Sequence, residues 1–472
     1  MEITRQPASK TTLDLSKTKT YTEVVSYLDA HWSVQRETKT LDIVKKIDAA
    51  LGYPSQKVET ILIAGSNGKS LTAHFTTTLL REEGLVVGSF YSPHILHYTE
   101  RIALNDEAIP QTIFTDIANE LISVVEQLGL VAHSHELLTL IALTYFSKNN
   151  VDVALLEVYE GGLYDATNIC HAKVAAITRI TPKDVITTQE ALIETLKESM
   201  GIVKENTWIV AGDQIKAHLQ IMQTMTEEQK GSWAMPIRKL AQLPYPFEQL
   251  HGRCAALAER LAQLFVEQCV SNHATIVSDS LLTKPKGQRG RPTIEQKRHL
   301  ELNPKKTIIQ YWKEAHCSLQ ARFQLLSQEK PAVLLDNASN VDAIDNLLLG
   351  IRLLHYKKQL KGLTIIAAAG KNALHNEEFL KAIRYFFKKT AGQIFICPLE
   401  NNLPGNQEDT SWDVEAVTND IKSMKVKARS FKTFDEAFDS AKKSLDERNG
   451  LIVVTGSQSI INTYWKCKDA NK

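Results

Sequence analysis

Apolar residues along this chain change spacing in a regular way. From Tyr21 to Leu28 and from Leu41 to Leu51 they recur every three or four positions, which predicts two charged amphipathic helices at the start. Val58–Ala64 (VETILIA) is a short, β-branched apolar run and predicts a buried strand. Gly65–Gly68 predicts a turn, Leu71–Arg81 a helix and Val86–Tyr91 a second strand. A strand, turn, helix and strand in this order predict parallel strands joined by a crossover helix. The alternation continues with helices over Ile113–Leu128 and Glu136–Phe146 and strands over Val151–Val158, Val174–Ile177 and Trp208–Ala211.

The pattern breaks at Ser271–Asn303. Within it Lys284–Pro292 (KPKGQRGRP) holds four positive charges, two glycines and two prolines. It reads as an exposed loop or linker; a nucleic-acid contact is the lesser reading, because no aromatics stand nearby to stack on bases. A second alternation begins near Leu319. Strands are predicted over Val333–Leu335, Thr364–Ala369, Ile394–Cys397 and Leu451–Thr455, and helices over Val341–Leu354, Asn376–Lys388 and Phe434–Asp446. The expected fold class is therefore α/β with two domains: residues 1–310, on a parallel sheet and carrying the basic stretch near 271–310, and residues 311–472, a Rossmann-like α/β domain.

Composition narrows the class. At 472 residues the chain exceeds one compact core, and an apolar content of 43% supplies enough for two. Lys plus Arg (55) balances Asp plus Glu (54), which argues against a surface built for nucleic acid over the whole molecule. The six cysteines are scattered without a CxxC pair, so reduced thiols are expected rather than zinc ligands or disulfides. The polar N-terminus carries no apolar secretory core, and no apolar run reaches the roughly 20 residues a membrane helix needs. A cytoplasmic protein with no membrane partner is expected.

The richest stretch is Ile61–Ser70, ILIAGSNGKS. A strand ends, a glycine-rich turn follows, and lysine and serine open a helix. Glycines let the backbone curl so that its amides face one oxyanion, and the helix N-terminus adds free N–H groups. Gly65, Ser66, Asn67, Gly68, Lys69 and Ser70 are thus the expected ATP-binding residues, with Lys69 on the β/γ-phosphates and Ser70 within reach of Mg²⁺. The spacing is a variant, since Ile63 stands where the common phosphate loop has its first glycine. An ordinary β-to-α turn is the alternative.

GSNGKS resembles the G-T-N-G-K loop of the Mur ligase superfamily, and within it the chain is most similar to the folylpolyglutamate and dihydrofolate synthases. Gly84–Ile109 (GLVVGSFYSPHILHYTERIALNDEAI) is similar to that family's G-x-x-V-G-x-Y-[TS]-S-P-H stretch with its following E-R-I and hairpin. Val151–Asn168 (VDVALLEVYEGGLYDATN) is similar to D-V-A-x-x-E-V-G-x-G-G-R-x-D-A-T-N. Ala321–Ala343 is similar to a P-G-R segment followed by D-G-A-H-N-P-x-A, and Val453–Ser457 to the final strand and G-S. The resemblance implies a Mur-ligase-like fold and an ATP- and Mg²⁺-dependent ligase, usually a monomer. It would join an amino acid, glutamate, to a folate-like acid through an acyl phosphate. By matching position, Ser92 and Glu157 fall where the family holds magnesium, and Arg322 and Asp336 where the C-terminal domain closes over the nucleotide. Lys69, Glu157 and Arg322 are the implied catalytic residues. Each has a plainer alternative: Ser92 as a turn cap, Arg322 as a linker arginine, Asp336 as a helix cap or Asx-turn residue. Glu157 ends an apolar strand, where an acid faces the ligand crevice of a parallel sheet.

Several family positions differ. Asp184 stands where I-G-x-D-H has its histidine; a carboxylate also ligates magnesium, so Asp184 is the third candidate metal ligand. Ser199 replaces the carbamylated lysine of E-K-A-G-I. E-V-G-x-G-G-R has become Glu157-Val158-Tyr159-Glu160-Gly161-Gly162-Leu163. Ser339 replaces the histidine of D-G-A-H-N, and Leu250–Ala255 offers little of H-Q-x-x-N-A. These losses leave two readings: a ligase with a rebuilt metal site, and a nucleotide-binding relative that no longer ligates. An unrelated phosphate-loop kinase is a third, in which the Tyr-Ser-Pro-His and Asp-Ala-Thr-Asn segments are coincidence.

Overall fold

The computed structural model describes residues 18–34, 38–212, 215–270, 281–282, 307–317, 319–400 and 410–470. The basic stretch Lys284–Pro292 lies outside them.

Two sheets organise the chain. The first holds β1 (Thr60–Ala64), β2 (Val87–Phe90), β3 (Ile102–Leu104), β4 (Glu107–Ala108), β5 (Val153–Glu157), β6 (Val174–Ile177), β7 (Trp208–Ala211) and β8 (Ser232–Ala234). Its order is β4-β3-β2-β5-β1-β6-β7-β8. All pairs are parallel except β2–β3 and β3–β4, the antiparallel edge. β1 is buried along its whole length because both faces are covered, which explains its continuous apolar run. Leu62 and Ala64 enter one core and Ile61 and Ile63 the other, the two-residue alternation of a pleated strand. From β1 the chain runs to β2 on one side, and later strands build out on the other. The carboxyl end of β1 is therefore a switch point, where open α/β sheets bind ligands.

The second sheet holds β9 (Gln324–Leu326), β10 (Ala332–Leu335), β11 (Leu363–Ala367), β12 (Gln393–Ile396), β13 (Ala428–Ser430) and β14 (Leu451–Thr455), ordered β13-β12-β11-β14-β10-β9. Only β9 is antiparallel among them. Leu334 and Val453 face one core, Val333, Leu335 and Val454 the other. Both lobes are α/β as the alternation predicted. The expected border at 310/311 cuts helix Ile308–Glu314, which packs on the first lobe: Trp312 is fully buried there and its Nε1 donates to Glu259 at 2.8 Å. Leu319 still packs on that core, whereas Ala321 lies in the second.

The long helix Phe247–Phe265 has no counterpart among the predicted elements. It is buried on most sides, with Ala255, Ala258, Leu261 and Ala262 packed in the core that also holds Phe75 and Leu79. Its apolar positions are interspersed with Glu248, Arg253, Glu259 and Arg260, and Glu259 is itself buried against Trp312. The lobes meet directly. Ile95, from the first, is buried in the second lobe's core, and its carbonyl accepts from Asn462 Nδ2 at 2.7 Å.

Candidate active site between the lobes

A cleft of about 1090 Å³ opens between the sheets, floored by the loop after β1. Gly65 (φ +124°) and Gly68 (φ +91°) take left-handed backbone conformations. A Cβ at Gly65 would collide with the Thr178 hydroxyl, and one at Gly68 would come within 2.9 Å of Cys254 Sγ, so both positions require glycine. Helix Lys69–Glu82 starts at once, its N-terminus toward the cleft. Ser66 through Ser70 line the cavity. Lys69 Nζ donates to the Gly65 carbonyl at 2.8 Å, folding its side chain back over the loop where a phosphate would lie.

Glu157, at the carboxyl end of β5, is 2% exposed and accepts from the Ser92 amide at 3.2 Å. Burial raises its pKa, with Lys69 and then Arg322 pulling the other way; burial likewise depresses Lys69, and Glu157 opposes that. Two opposite charges held out of water are each short of countercharge, a deficit that an anion on Lys69 and a cation on Glu157 would fill. Ser92 is buried, and its Oγ accepts from Arg101 Nη1 at 3.2 Å. Arg101 is itself buried, donates Nε to His94 at 2.8 Å and lies over the Trp32 ring at 5.2 Å.

The second lobe supplies Arg322 and Asp336, both in the cleft lining. Arg322 Nη2 donates to Ser70 Oγ at 3.1 Å, joining the lobes at the first turn of the phosphate-loop helix. Ala321 and Phe323, on either side of it, sit at φ +55° and +52°, a strained turn for non-glycine residues. Asp336 fixes that turn by accepting the Phe323 amide at 2.8 Å. Burial pushes Asp336 up to about 6, against the Phe323 amide and Arg322. The folded value lies above the ordinary aspartate value of about 3.9, so the proton is held more tightly in the native state. Its contribution to stability is therefore full below about pH 4 and lost as pH rises to about 6. If the ionised form serves nucleotide binding, ATP affinity falls as pH drops through about 6. Asp336→Asn should remove that pH dependence, checked by ATP titration between pH 5 and 8.

The structure does not bring Asp184 to this cleft. Its Oδ1 accepts from the Ile186 amide at 3.1 Å and from Thr187 Oγ1 at 2.8 Å, so it closes its own turn. Asp184→Ala should change turnover by less than about twofold, as for surface positions away from ligand; a hundredfold loss in steady-state rate would return it to the metal site. Ser199 bonds back to the Thr195 carbonyl of its own helix at 2.8 Å. Among the described residues no three His, Cys, Asp or Glu side chains gather as a metal cluster. Glu157 and Ser92 alone suit a Mg²⁺ that takes its other ligands from phosphates and water.

Sequence reasoning missed other lining residues. His251, on helix Phe247–Phe265, is 5% exposed and pushed down to about 4 by burial, and its Nδ1 has no hydrogen-bond partner among the described residues. Arg179 and Asp342 line the cleft and, with Asn340 behind them, join the lobes beside Asn67. Met235 and Ile237 form an exposed apolar wall at the far end. His251, Asn340 and Asp342 fall inside segments compared with family motifs but are given no role there, and Arg179, Met235 and Ile237 carry no motif, because these residues come together only through the packing of the two lobes. All six cysteines are free thiols, and no helix among the described residues is long and apolar enough to cross a membrane.

A glycine-rich loop at a sheet switch point, met by an arginine from a second α/β lobe, belongs to a two-lobed α/β fold that solved folylpolyglutamate synthases share. In sequence and in fold the chain is similar to folylpolyglutamate and dihydrofolate synthases. It is 27% identical over 322 residues to the dihydrofolate synthase/folylpolyglutamate synthase of Bacillus subtilis, covering 64% of this chain and 70% of that one. It is 28% identical over 239 residues to the folylpolyglutamate synthase of Lacticaseibacillus casei, covering 49% of this chain and 54% of the relative. Its match to the Escherichia coli dihydrofolate synthase/folylpolyglutamate synthase is 35% over 147 residues, 30% of this chain and 34% of the relative. These alignments thus span from about a third to 70% of the curated relatives' lengths. The fold likeness runs further. Mycobacterium tuberculosis folylpolyglutamate synthase complexed with ADP superposes with a TM-score of 0.73 at 18% identity, over 95% of this chain and 98% of the other. The bifunctional enzyme of Yersinia pestis gives 0.70 at 22% identity, over 96% and 99%. No family model matches the chain.

Proposed function

We propose that this chain is an ATP-dependent ligase that joins glutamate to a folate-like carboxylic acid. The observation that carries the reading is the Arg322–Ser70 contact. It closes the second lobe over Lys69 and Glu157 in one cleft, the enclosure an acyl phosphate needs to escape hydrolysis. In this reading the loop amides and Lys69 bind the β- and γ-phosphates, and the apolar wall at Met235 and Ile237 takes the flat base. Ser92 and Glu157 would hold Mg²⁺, which supplies charge neutralisation on the phosphates. The acid's carboxylate oxygen attacks the γ-phosphorus in line, and the bond to the β-phosphate oxygen breaks, releasing ADP. Arg322 and Lys69 offset the charge that builds on the transferring group. The amine of glutamate then attacks the acyl carbon, inorganic phosphate leaves and the nitrogen loses a proton, giving the amide. We place the protein in the cytoplasm as a monomer, an assignment its six free thiols favour.

The test is ATP consumption by the purified protein with Mg²⁺, glutamate and either dihydropteroate or tetrahydrofolate, with mass spectrometry of the products. A gain of one glutamyl unit that needs Lys69 is expected. Ser199 and Asp184, both turned into their own backbone, favour a second reading, a nucleotide-binding relative that does not ligate. Lys69-dependent ATP binding without product would select it.

A further inference from the structure

The seam between the lobes runs across the phosphate loop itself. Asn67, between the two left-handed glycines, takes almost all of its side-chain partners from outside the loop. Its Nδ2 faces Asp342 Oδ2 at 2.9 Å, Asn340 Oδ1 at 3.1 Å and Thr181 Oγ1 at 3.3 Å, and its Oδ1 accepts from Asn340 Nδ2 at 2.9 Å. Asn340 and Asp342 belong to the second lobe. Asn340 caps helix Val341–Lys357 by accepting the Ala343 amide at 3.0 Å, so its side chain is fixed before it meets Asn67. The other oxygen of Asp342 pairs with Arg179 Nη2 at 2.9 Å. The Arg179 carbonyl accepts the amides of Ser66 and Asn67 at 2.8 and 3.2 Å, so this arginine holds the loop with its main chain and the opposite lobe with its side chain.

We propose that Asp342, with Arg179, is a positioning pair that couples closure of the second lobe to the shape of the phosphate loop, so that Arg322 meets Ser70 only when the seam around Asn67 is made. The inference rests on the reading that this loop binds ATP. The argument is one of charge and geometry. An Asn amide offers two hydrogens, and here three acceptors compete for them, so a shift of the Asp342 carboxylate is felt by Asn67 directly. The Arg179–Asp342 pair is partly exposed, and such a pair alone contributes little. Its effect lies in keeping a carboxylate beside a triphosphate site: unpaired, Asp342 would repel the phosphates, and paired, it serves as an acceptor for the loop. The two substitutions must therefore be strongly non-additive. Asp342 and Arg179 are positioning residues in this scheme; neither need touch the reacting atoms.

The experiment measures two quantities on the full chain: affinity for Mg·ATP and for a non-hydrolysable ATP analogue by titration calorimetry, and the distance between the lobes by fluorescence transfer with and without that analogue. Arg179→Ala, which leaves Asp342 bare, is expected to weaken binding about tenfold. Asp342→Ala is expected to leave affinity within about threefold but to reduce the closure that nucleotide induces. The double alanine variant should bind better than Arg179→Ala alone. Asp342→Asn, which keeps the size and an acceptor for Asn67, should retain closure and guards against a folding defect. Additive losses, or full closure in Asp342→Ala, would overturn the inference while leaving ATP binding intact. Absence of Mg·ATP binding by the unaltered chain would overturn the ATP reading and the inference with it.

Discussion

Lys69→Ala is expected to abolish measurable Mg·ATP binding, and with it any turnover. Lys69 directly follows the glycine-rich turn, and its Nζ lies 2.8 Å from the Gly65 carbonyl. Burial depresses its pKa and Glu157 opposes this, so the ammonium is held in a site poor in water and strong in field. A triphosphate bound there without it would face the Glu157 carboxylate with one positive charge fewer. Loss of a single preorganised charge donor costs roughly 10²–10³ in rate, about 3–4 kcal/mol. Substitution should also spare the fold, because no core apolar contact depends on the ammonium. The measurement is calorimetric titration with Mg·ATP together with ATP consumption. Unchanged affinity and rate would sink the phosphate-loop assignment, however well the strand and helix around it match.

The second large effect is expected at Glu157. Glu157→Gln keeps the shape and retains an oxygen for the Ser92 amide, so it separates charge from packing. Its buried charge is costly in the absence of a cation, which is why burial leads the forces on its pKa. The glutamine protein should therefore melt at the same temperature or higher than the unaltered chain. Its affinity for Mn²⁺, read by electron paramagnetic resonance in the presence of ATP, should fall at least tenfold, and turnover by roughly 10²–10³. Equal Mn²⁺ affinity in the two proteins would remove Glu157 from the metal site. It would then be a charge partner for Lys69 and Arg322 only.

Much of the first lobe was legible in the chain because its strands are local, continuous apolar runs. Val174–Ile177 and Trp208–Ala211 begin and end where the pattern places them, as does Leu451–Thr455 in the second lobe. Elements missed were those whose pattern is set by distant neighbours. β8 and β13 have three residues each, too few to show a clean period. In the site, Lys69, Ser70, Ser92, Glu157, Arg322 and Asp336 were each named from motif position, and all line the same cleft. Asp184 was named on the same grounds, yet its carboxylate closes a local turn, as short acidic side chains commonly do.

By itself the sequence determined the class of architecture, the glycine-rich turn after β1 and the start of the helix that follows, since these follow from glycine stereochemistry and short-range apolar spacing. Only the tertiary structure decided how the lobes meet. Asp342 is 275 positions from Asn67 and Arg322 is 252 from Ser70, separations over which no local period carries information. Their meeting is a property of two packed cores. Whether an acid ends up in the cleft or capping its own turn depends on which bonds are nearer once those cores have formed.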